Sequence, residues 1–214
     1  MNRNRIALLA ALVTSLFTSS ASASTLNLIQ PNTSRGSYLT FNYNGVDETA
    51  FAGALSFSID GSATLTDMFC VDITTFSYLN SPYEATALPP TILNNGDRAA
   101  WLFLNFDSSA NTVVTGTALQ LALWDVVHDG GNGLSTGIFK GTASISSEII
   151  NQAESYITAS LGQSASAAVV YESVLGKNDR QLQIGHVPEP SSILLLASGL
   201  AFVGWKAKRR KVCA

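Results

Sequence analysis

The sequence predicts an α+β fold in which an antiparallel, sandwich-like β-sheet is joined to a helical subdomain. In the first part of the chain, apolar and polar residues alternate with period two, which is typical of strands that keep one face in solvent. Beyond Pro89 and Pro90 the period lengthens to that of amphipathic helices. A length of 214 residues, 46% of them apolar, suits one compact domain with extra segments at its ends.

The strands are predicted from short alternating segments that end in turn signals. The dipeptides Asn44-Gly45 and Asp60-Gly61 mark two of those turns. The predicted strands cover residues 25–29, 37–43, 54–59 and 68–73, and two closing strands cover 167–175 and 181–184.

Three helices are predicted from apolar residues at helical spacing. They cover residues 94–105, 117–129 and 145–161. The glycine-rich run that starts at Gly130 ends the second of them, because glycine is favoured where a helix stops.

The N-terminal residues 1–23 have the three parts of a secretory signal peptide. Arg3 and Arg5 supply the positive charge, residues 6–16 form the apolar run, and Ala21-Ser22-Ala23 is a small-residue cleavage site. An uncleaved membrane anchor is the alternative, but the apolar run is too short to span a bilayer. The mature chain is therefore expected to begin at Ser24.

The other end of the chain, residues 187–214, also has three parts. The motif Val187-Pro188-Glu189-Pro190-Ser191-Ser192 precedes an apolar run over 193–205 and a basic tail over 206–211. As a helix the run is roughly 20 Å long against a bilayer core of about 30 Å, so it spans only with help from flanking residues. Basic residues stay on the cytoplasmic side, which leaves the domain over 24–186 outside.

This ending closely resembles the PEP-CTERM sorting signal of Gram-negative bacteria, in which a Val-Pro-Glu-Pro motif is followed by a short transmembrane helix and a basic tail. The resemblance implies processing by an exosortase, a membrane protease and transpeptidase. It also implies an inner-membrane-anchored precursor that ends at the cell surface or in the extracellular matrix of bacteria that make exopolysaccharide. A plain C-terminal anchor is the alternative.

Charge and composition exclude several classes of function for the domain. Residues 24–187 hold 14 acidic and five basic residues, which excludes a nucleic-acid-binding surface. Two histidines in the whole chain make a histidine-rich metal site improbable, although Asp125, His128 and Asp129 have a spacing that a metal site can use. No nucleophile elbow of a hydrolase is predicted, because the one G-x-S-x-G pattern, at residues 133–137, follows a predicted helix rather than a strand. We therefore expect no enzyme activity, no cofactor and no metal.

Cys70 needs an explanation because it is the single cysteine of the mature domain. The second cysteine, Cys213, lies beyond the sorting segment and is expected to be lost on processing. An exported protein with one cysteine cannot form an internal disulfide. Cys70 is therefore a buried thiol, an intermolecular partner or a reactive group.

Two short motifs favour the reactive interpretation. Phe69-Cys70-Val71-Asp72 lies on a predicted strand, and Gln120-Leu121-Ala122-Leu123-Trp124 lies on a predicted helix. The pair resembles the two signatures of bacterial thioester domains of surface adhesins. The resemblance implies a bond between the Cys70 sulfur and the Gln120 side-chain carbonyl, which an amine or hydroxyl of a surface molecule or exopolysaccharide then attacks once. The alternative is a non-covalent structural or polysaccharide-binding matrix protein of the same fold.

Five neighbouring residues receive roles around that pair. Phe69, Trp101 and Trp124 are predicted to keep water from the sulfur. His128, two turns after Gln120, either moves a proton or stabilises the end of the helix through its dipole. Asp72 either tunes the thiol or ends the strand.

Overall fold

The computed structural model describes residues 23–187. All but the last residue of the predicted signal peptide, and the predicted sorting motif and transmembrane segment beyond Val187, lie outside this range. Within the described range, no helix has the length and apolar character needed to cross a membrane.

The described part of the chain contains seven strands and three α-helices, which confirms an α+β fold with a large antiparallel sheet. The strands are β1 (Ala23–Tyr43), β2 (Val46–Ile59), β3 (Leu65–Cys70), β4 (Tyr83–Leu88), β5 (Phe139–Gly141), β6 (Ala168–Ser173) and β7 (Gln183–His186). The helices are α1 (Gly96–Phe106), α2 (Val113–Asp129) and α3 (Ser147–Ala159).

The strands belong to one sheet that closes on itself. The order is β2-β3-β7-β6-β4-β1-β5, and β1 also pairs with β2, so six strands form a closed circuit. The predicted sandwich is thus replaced by a single closed sheet. The cause is the length of β1, whose pairing with β2 shifts register between Leu28 and Gln30 and again between Pro31 and Gly36. These irregularities let one strand pair with β2 along its length and with β4 and β5 at its two ends.

The two faces of the closed sheet bury two separate apolar cores. The inner cluster takes residues from five of the strands: Leu26, Leu28, Leu55, Phe57, Met68, Ala85 and Tyr171. The larger cluster lies between the outer face and the helices. Strand β6 shows the alternation, because Ala168 and Val170 belong to the helix-side core while Val169 and Tyr171 pack in the inner cluster.

Helix α2 is the central helix and is buried on every side from Gly116 to Val127. It begins four residues before the predicted start, at a capping box formed by Thr112 and Thr115. A Cβ atom on Gly116 would lie 2.1 Å from the backbone oxygen of Arg35, so only glycine allows α2 to cross β1 this closely. This crossing fixes the position of α2 against the sheet.

The structure corrects the predicted sheet in three places. Strand β3 ends at Cys70 rather than at residue 73, because a turn begins at Asp72. Strands β4 and β5 were not predicted. In β4 the small residues Ala85 and Ala87 carry the alternation, which makes its signal weak, and β5 is only three residues long.

Candidate functional site

The last residue of β3 and the middle of α2 meet at Cys70 and Gln120. The Gln120 side chain is fully buried, and its Oε1 accepts a hydrogen bond from the Cys70 backbone N–H at 3.1 Å. Its Nε2 donates to the Cys70 backbone oxygen at 2.6 Å. The amide carbon of Gln120 is bonded to both of these atoms, so it lies directly against the residue that bears the thiol.

The local strand pairing explains why this contact forms. Pairing between β2 and β3 stops at Leu55 and Met68, two residues before Cys70. The backbone N–H and C=O of Cys70 therefore have no strand partner on that side, and buried backbone groups require one. The Gln120 amide supplies both partners.

Trp124 approaches the sulfur from the same face of α2. It follows Gln120 by four residues, which places both side chains on one side of the helix. Its indole Nε1–H points at the Cys70 Sγ at 3.4 Å, and its ring packs against Phe41 and Phe139 at centroid distances of 5.1 and 5.9 Å. The sulfur is thus covered by a fixed aromatic ring.

The thiol lies in a dry, neutral environment. Burial strongly raises the pKa of Cys70, outweighing the hydrogen bonds with Trp124 and with the Asp72 backbone. The thiol donates to the Asp72 carbonyl oxygen at 2.7 Å. At neutral pH the sulfur is therefore protonated, and a reaction through it needs a proton acceptor.

Asp72 contacts this site through its backbone, while its carboxylate organises the turn after β3. The carboxylate accepts hydrogen bonds from the Thr74 N–H and hydroxyl, each at 2.8 Å, and from the Thr75 hydroxyl. These bonds support the strand-ending role, and the charge of the carboxylate also adds a smaller rise to the pKa of Cys70.

Two of the predicted shielding residues have their ring contacts elsewhere. Phe69 is fully buried, and its ring meets Phe103 at 6.3 Å and the Arg35 guanidinium at 5.5 Å. Trp101 is half-buried and packs edge-on against Phe106 at 5.7 Å, next to α3. Their role in keeping water from the sulfur stays a prediction.

His128 lies beside the turn that follows Cys70. Its ring packs edge-on against Tyr43 at 5.6 Å and hydrogen-bonds to the Val71 backbone. Burial lowers the pKa of His128, against the opposing effects of Asp72 and of the bond to Val71. The imidazole is therefore neutral at pH 7, and its buried Nε2 has no hydrogen-bond partner within residues 23–187.

An open cavity of about 380 Å³ adjoins this site. The residues that line it come from the turn after β3, the segment before α1, the end of α2 and the loop before β7: Val71, Asp72, Thr74, Ile92, Leu93, Asn94, Val127, His128, Lys177, Asn178 and Leu182. Cys70 and Gln120 do not line this cavity. The backbone of Val71 and Asp72 separates it from the sulfur.

Sequence reasoning missed a second buried glutamine next to Cys70. Gln183 is fully buried and lies directly opposite Cys70 in the β3–β7 pairing, so the two side chains share a face of the sheet. Its Nε2 contacts Ser77 and Gln181, whereas its Oε1 has no partner in the described range. The alternation of residues 181–184 indicates a solvent-facing position, so no sequence signal points to its burial.

The acidic residues around His128 serve the loops that follow α2. Asp125 accepts from the Gly133 N–H at 3.2 Å, and Asp129 accepts from the Phe139 N–H at 3.1 Å. Within residues 23–187, no group of three or more potential metal ligands is present.

Comparison with known proteins gives a match at the end of the chain. Residues 186–210 match the PEP-CTERM protein-sorting motif. The chain carries an exosortase sorting signal. It is therefore exported as a membrane-anchored precursor, with an exosortase as its processing partner. No curated protein and no solved structure matches the chain.

The sorting signal begins where the described fold ends. His186 is both the last residue of β7 and the first residue of the matched segment. Its Nε2 lies 3.0 Å from Asp107, and its ring lies 4.7 Å from Phe103. These contacts hold the last residue of β7 against the end of α1.

Proposed function

We propose that the exported domain over 24–186 captures a nucleophile covalently through an internal thioester between Cys70 and Gln120. The observation that carries this proposal is the pair of hydrogen bonds between the Gln120 amide and the Cys70 backbone. They hold a carboxamide carbon against a thiol-bearing residue inside the protein. Such fixed contact raises the effective concentration of the two groups by many orders of magnitude.

The bond-forming step balances with groups that the site contains. The Cys70 sulfur attacks the Gln120 amide carbon, the carbon–nitrogen bond breaks, and the thiol proton leaves with the nitrogen as ammonia. The product is a thioester that lacks one ammonia relative to the sequence. A nucleophile then attacks the carbonyl carbon, becomes bonded to residue 120, and returns the sulfur to its thiol form.

Exclusion of water supports the survival of such a bond. Cys70 and Gln120 are both buried, and Trp124 covers the sulfur. Hydrolysis needs a water molecule at the carbonyl carbon, and a closed site withholds it. Capture then takes place once per molecule, which suits attachment rather than turnover.

The second candidate is a non-covalent matrix protein that uses the same fold. It is favoured by the strand pairing itself, because the Gln120 amide also completes the hydrogen bonds that β2 leaves open at Cys70. In that case Gln120 is a purely structural residue. The two candidates differ in the mass of the protein, since only the first loses one ammonia.

Intact-mass measurement of the purified protein, with and without methylamine, separates the two candidates. The thioester proposal predicts a mass one ammonia below that of the sequence, and a gain of one methylamine on treatment. The Cys70→Ala and Gln120→Glu variants are expected to show the full sequence mass and no gain. An unmodified wild-type mass that methylamine does not change would refute covalent capture.

Gln183 provides a matched control for the site of the label. It is as deeply buried as Gln120 and also neighbours Cys70, but its amide contacts Ser77 and Gln181 instead. Peptide mapping is expected to place methylamine on residue 120, and Gln183→Glu is expected to retain the label. A label on residue 183 would show that the thioester forms with Gln183 and not with Gln120.

A further inference from the structure

We propose that the nucleophile is a hydroxyl group of a carbohydrate chain, which enters through the cavity beside Cys70 and gives its proton to His128. This inference rests on the proposed thioester and specifies what that bond captures. Four features of the described residues support it: the position of the cavity, its lining, the state of His128 and the exposed side chains on two of its loops.

The cavity lies on the side of Cys70 from which a ligand can reach the bond. Val71 and Asp72 form its wall next to the sulfur, and the thiol hydrogen bonds to the Asp72 carbonyl oxygen through that wall. Thioester formation removes the thiol hydrogen and therefore this bond. The Asp72 carbonyl then keeps only the hydrogen bond from Gln181 Nε2 at 2.9 Å, which loosens the wall.

The lining favours a neutral polyol over a protonated amine. Asn94, Asn178 and Thr74 offer amide and hydroxyl groups, which match sugar hydroxyls as donors and acceptors. Lys177 places a positive charge at the same cavity and repels an ammonium group. The opposing carboxylate, Asp72, is already engaged by Thr74 and Thr75. A volume of about 380 Å³ accommodates one sugar residue.

His128 is in the state that a proton acceptor needs. It lines the cavity, its Nε2 lacks a partner in the described range, and its ring orientation is held by Tyr43 and by the bond to the Val71 backbone. Its charged neighbours at the cavity are Asp72 and Lys177. A hydroxyl is a weak nucleophile unless a base takes its proton, whereas an unprotonated amine attacks unaided.

Exposed apolar side chains lie on two of the loops that line the cavity. Phe76, Tyr78 and Leu175 are 67%, 55% and 79% exposed and belong to the two loops that supply Thr74 and Lys177. Arg180 holds these loops together, because it lies over the Tyr78 ring at 5.1 Å and bonds to the Ser81 hydroxyl at 3.3 Å. Flat aromatic faces beside hydrogen-bonding groups suit the apolar face and polar edge of a sugar ring.

The capture step balances without any further reagent. The sugar oxygen bonds to the Gln120 carbonyl carbon, and the carbon–sulfur bond breaks. The hydroxyl proton passes to His128 and then to the departing Cys70 sulfur. The products are an ester on residue 120 and a free thiol.

The test compares nucleophiles on the purified full chain by intact mass. Glucose and maltotriose are offered against Nα-acetyl-lysine at equal concentration and neutral pH, and methylamine at high concentration labels any thioester regardless of the cavity. We expect sugar adducts that hydroxylamine removes, as esters require. His128→Gln is expected to lower the ratio of the sugar-capture rate to the methylamine-labelling rate at least tenfold. Lys177→Glu, on the surface, is expected to shift capture toward Nα-acetyl-lysine.

The outcomes separate this inference from the thioester itself. If methylamine labels residue 120 but acetyl-lysine is captured and sugars are not, the hydroxyl assignment is wrong and a protein amine is the target. Equal sugar capture by the wild type and by His128→Gln would remove His128 from the mechanism. If methylamine labels nothing, the thioester is absent, and this inference is refuted together with the proposed function.

Discussion

Two polar clusters lie against helix α2, and they are built in opposite ways. Around Arg35, at the start of α2, the groups are charged and paired: its guanidinium bonds to Asp67 at 2.8 Å and to Asp107 at 2.6 Å, and also to the carbonyl of Ala110. Around Cys70, further along α2, the groups are neutral and more deeply buried: a thiol, an amide and an indole. We call these the Arg35 cluster and the Cys70 cluster.

The difference indicates what each cluster is for. Half-buried charges with complete partners hold strands and helices together, and breaking these ion pairs costs stability. Neutral groups of intrinsic reactivity, held dry beside a cavity, can undergo chemistry. We therefore expect variants in the Arg35 cluster to change unfolding and variants in the Cys70 cluster to change covalent labelling.

The largest expected effect is on labelling. Cys70→Ala removes the nucleophile, so methylamine incorporation should fall from one per molecule to none. The free energy of unfolding should change by only about 1–2 kcal/mol, because a small buried side chain is lost. Mass spectrometry and urea unfolding of the same sample measure both quantities. Persistent labelling of the variant would break the assignment of this cluster.

The converse variant is Arg35→Met, which keeps the length of the side chain and removes its charge. Asp67 and Asp107 then lose a shared partner, so the free energy of unfolding should fall by about 3–5 kcal/mol. Molecules that remain folded should still take up methylamine. Urea unfolding gives the first quantity, and loss of labelling in native conditions would contradict the separation of the two clusters.

The third prediction uses the opposite pH dependence of two carboxylates. Burial raises the pKa of Asp125 to about 6, despite the Gly133 hydrogen bond. Between its ordinary pKa and 6, the folded state binds more protons than the unfolded state, so stability falls as pH rises through this window. Asp125→Asn should remove this loss and raise the free energy of unfolding at pH 7 by about 1–3 kcal/mol.

Asp67 in the Arg35 cluster provides the contrast. Burial alone would raise its pKa, but hydrogen bonds from Ser56 and Arg35 outweigh burial and lower the pKa of Asp67. Its contribution to stability is present above its ordinary pKa and is lost as pH falls. Asp67→Asn should therefore lower the free energy of unfolding at pH 7. It should not add to the fall in stability as the pH rises above 5. Urea titrations at pH 4 and pH 7 check both signs.

The smallest expected effect on stability belongs to Trp124→Phe. Phenylalanine keeps much of the packing on Phe41 and Phe139 but cannot donate to the Cys70 sulfur. The free energy of unfolding should fall by about 1 kcal/mol. The thioester of the variant should hydrolyse faster than that of the wild type. The loss of the one-ammonia mass deficit over time measures this rate in both proteins. An unchanged hydrolysis rate would show that the ring does not protect the bond.

Much of the secondary structure follows from local patterns. Period-two alternation predicts the segments of β1, β2 and β6, and the glycine at position 130 marks the end of α2. Closure of the sheet is not predictable in this way, because it depends on β1 pairing with three strands. The burial of α2 on all sides also hides its polar positions, since Gln120 and Asp125 look like the solvent face of an amphipathic helix.

The site is predictable only where a motif marks it. Cys70, Gln120 and Trp124 are named by the two short motifs. Gln183 and the cavity depend on the β3–β7 register and on loops that come together from four parts of the chain. No sequence pattern encodes those contacts.

The central claim is a bond between two atoms, and peptide mapping of the untreated protein tests it most directly. Digestion at low pH preserves a thioester. We predict that the peptide containing Cys70 and the peptide containing Gln120 are recovered as one linked species that lacks one ammonia. Recovery of two separate peptides, each at the mass of its sequence and with a thiol that reacts after unfolding, would contradict the account.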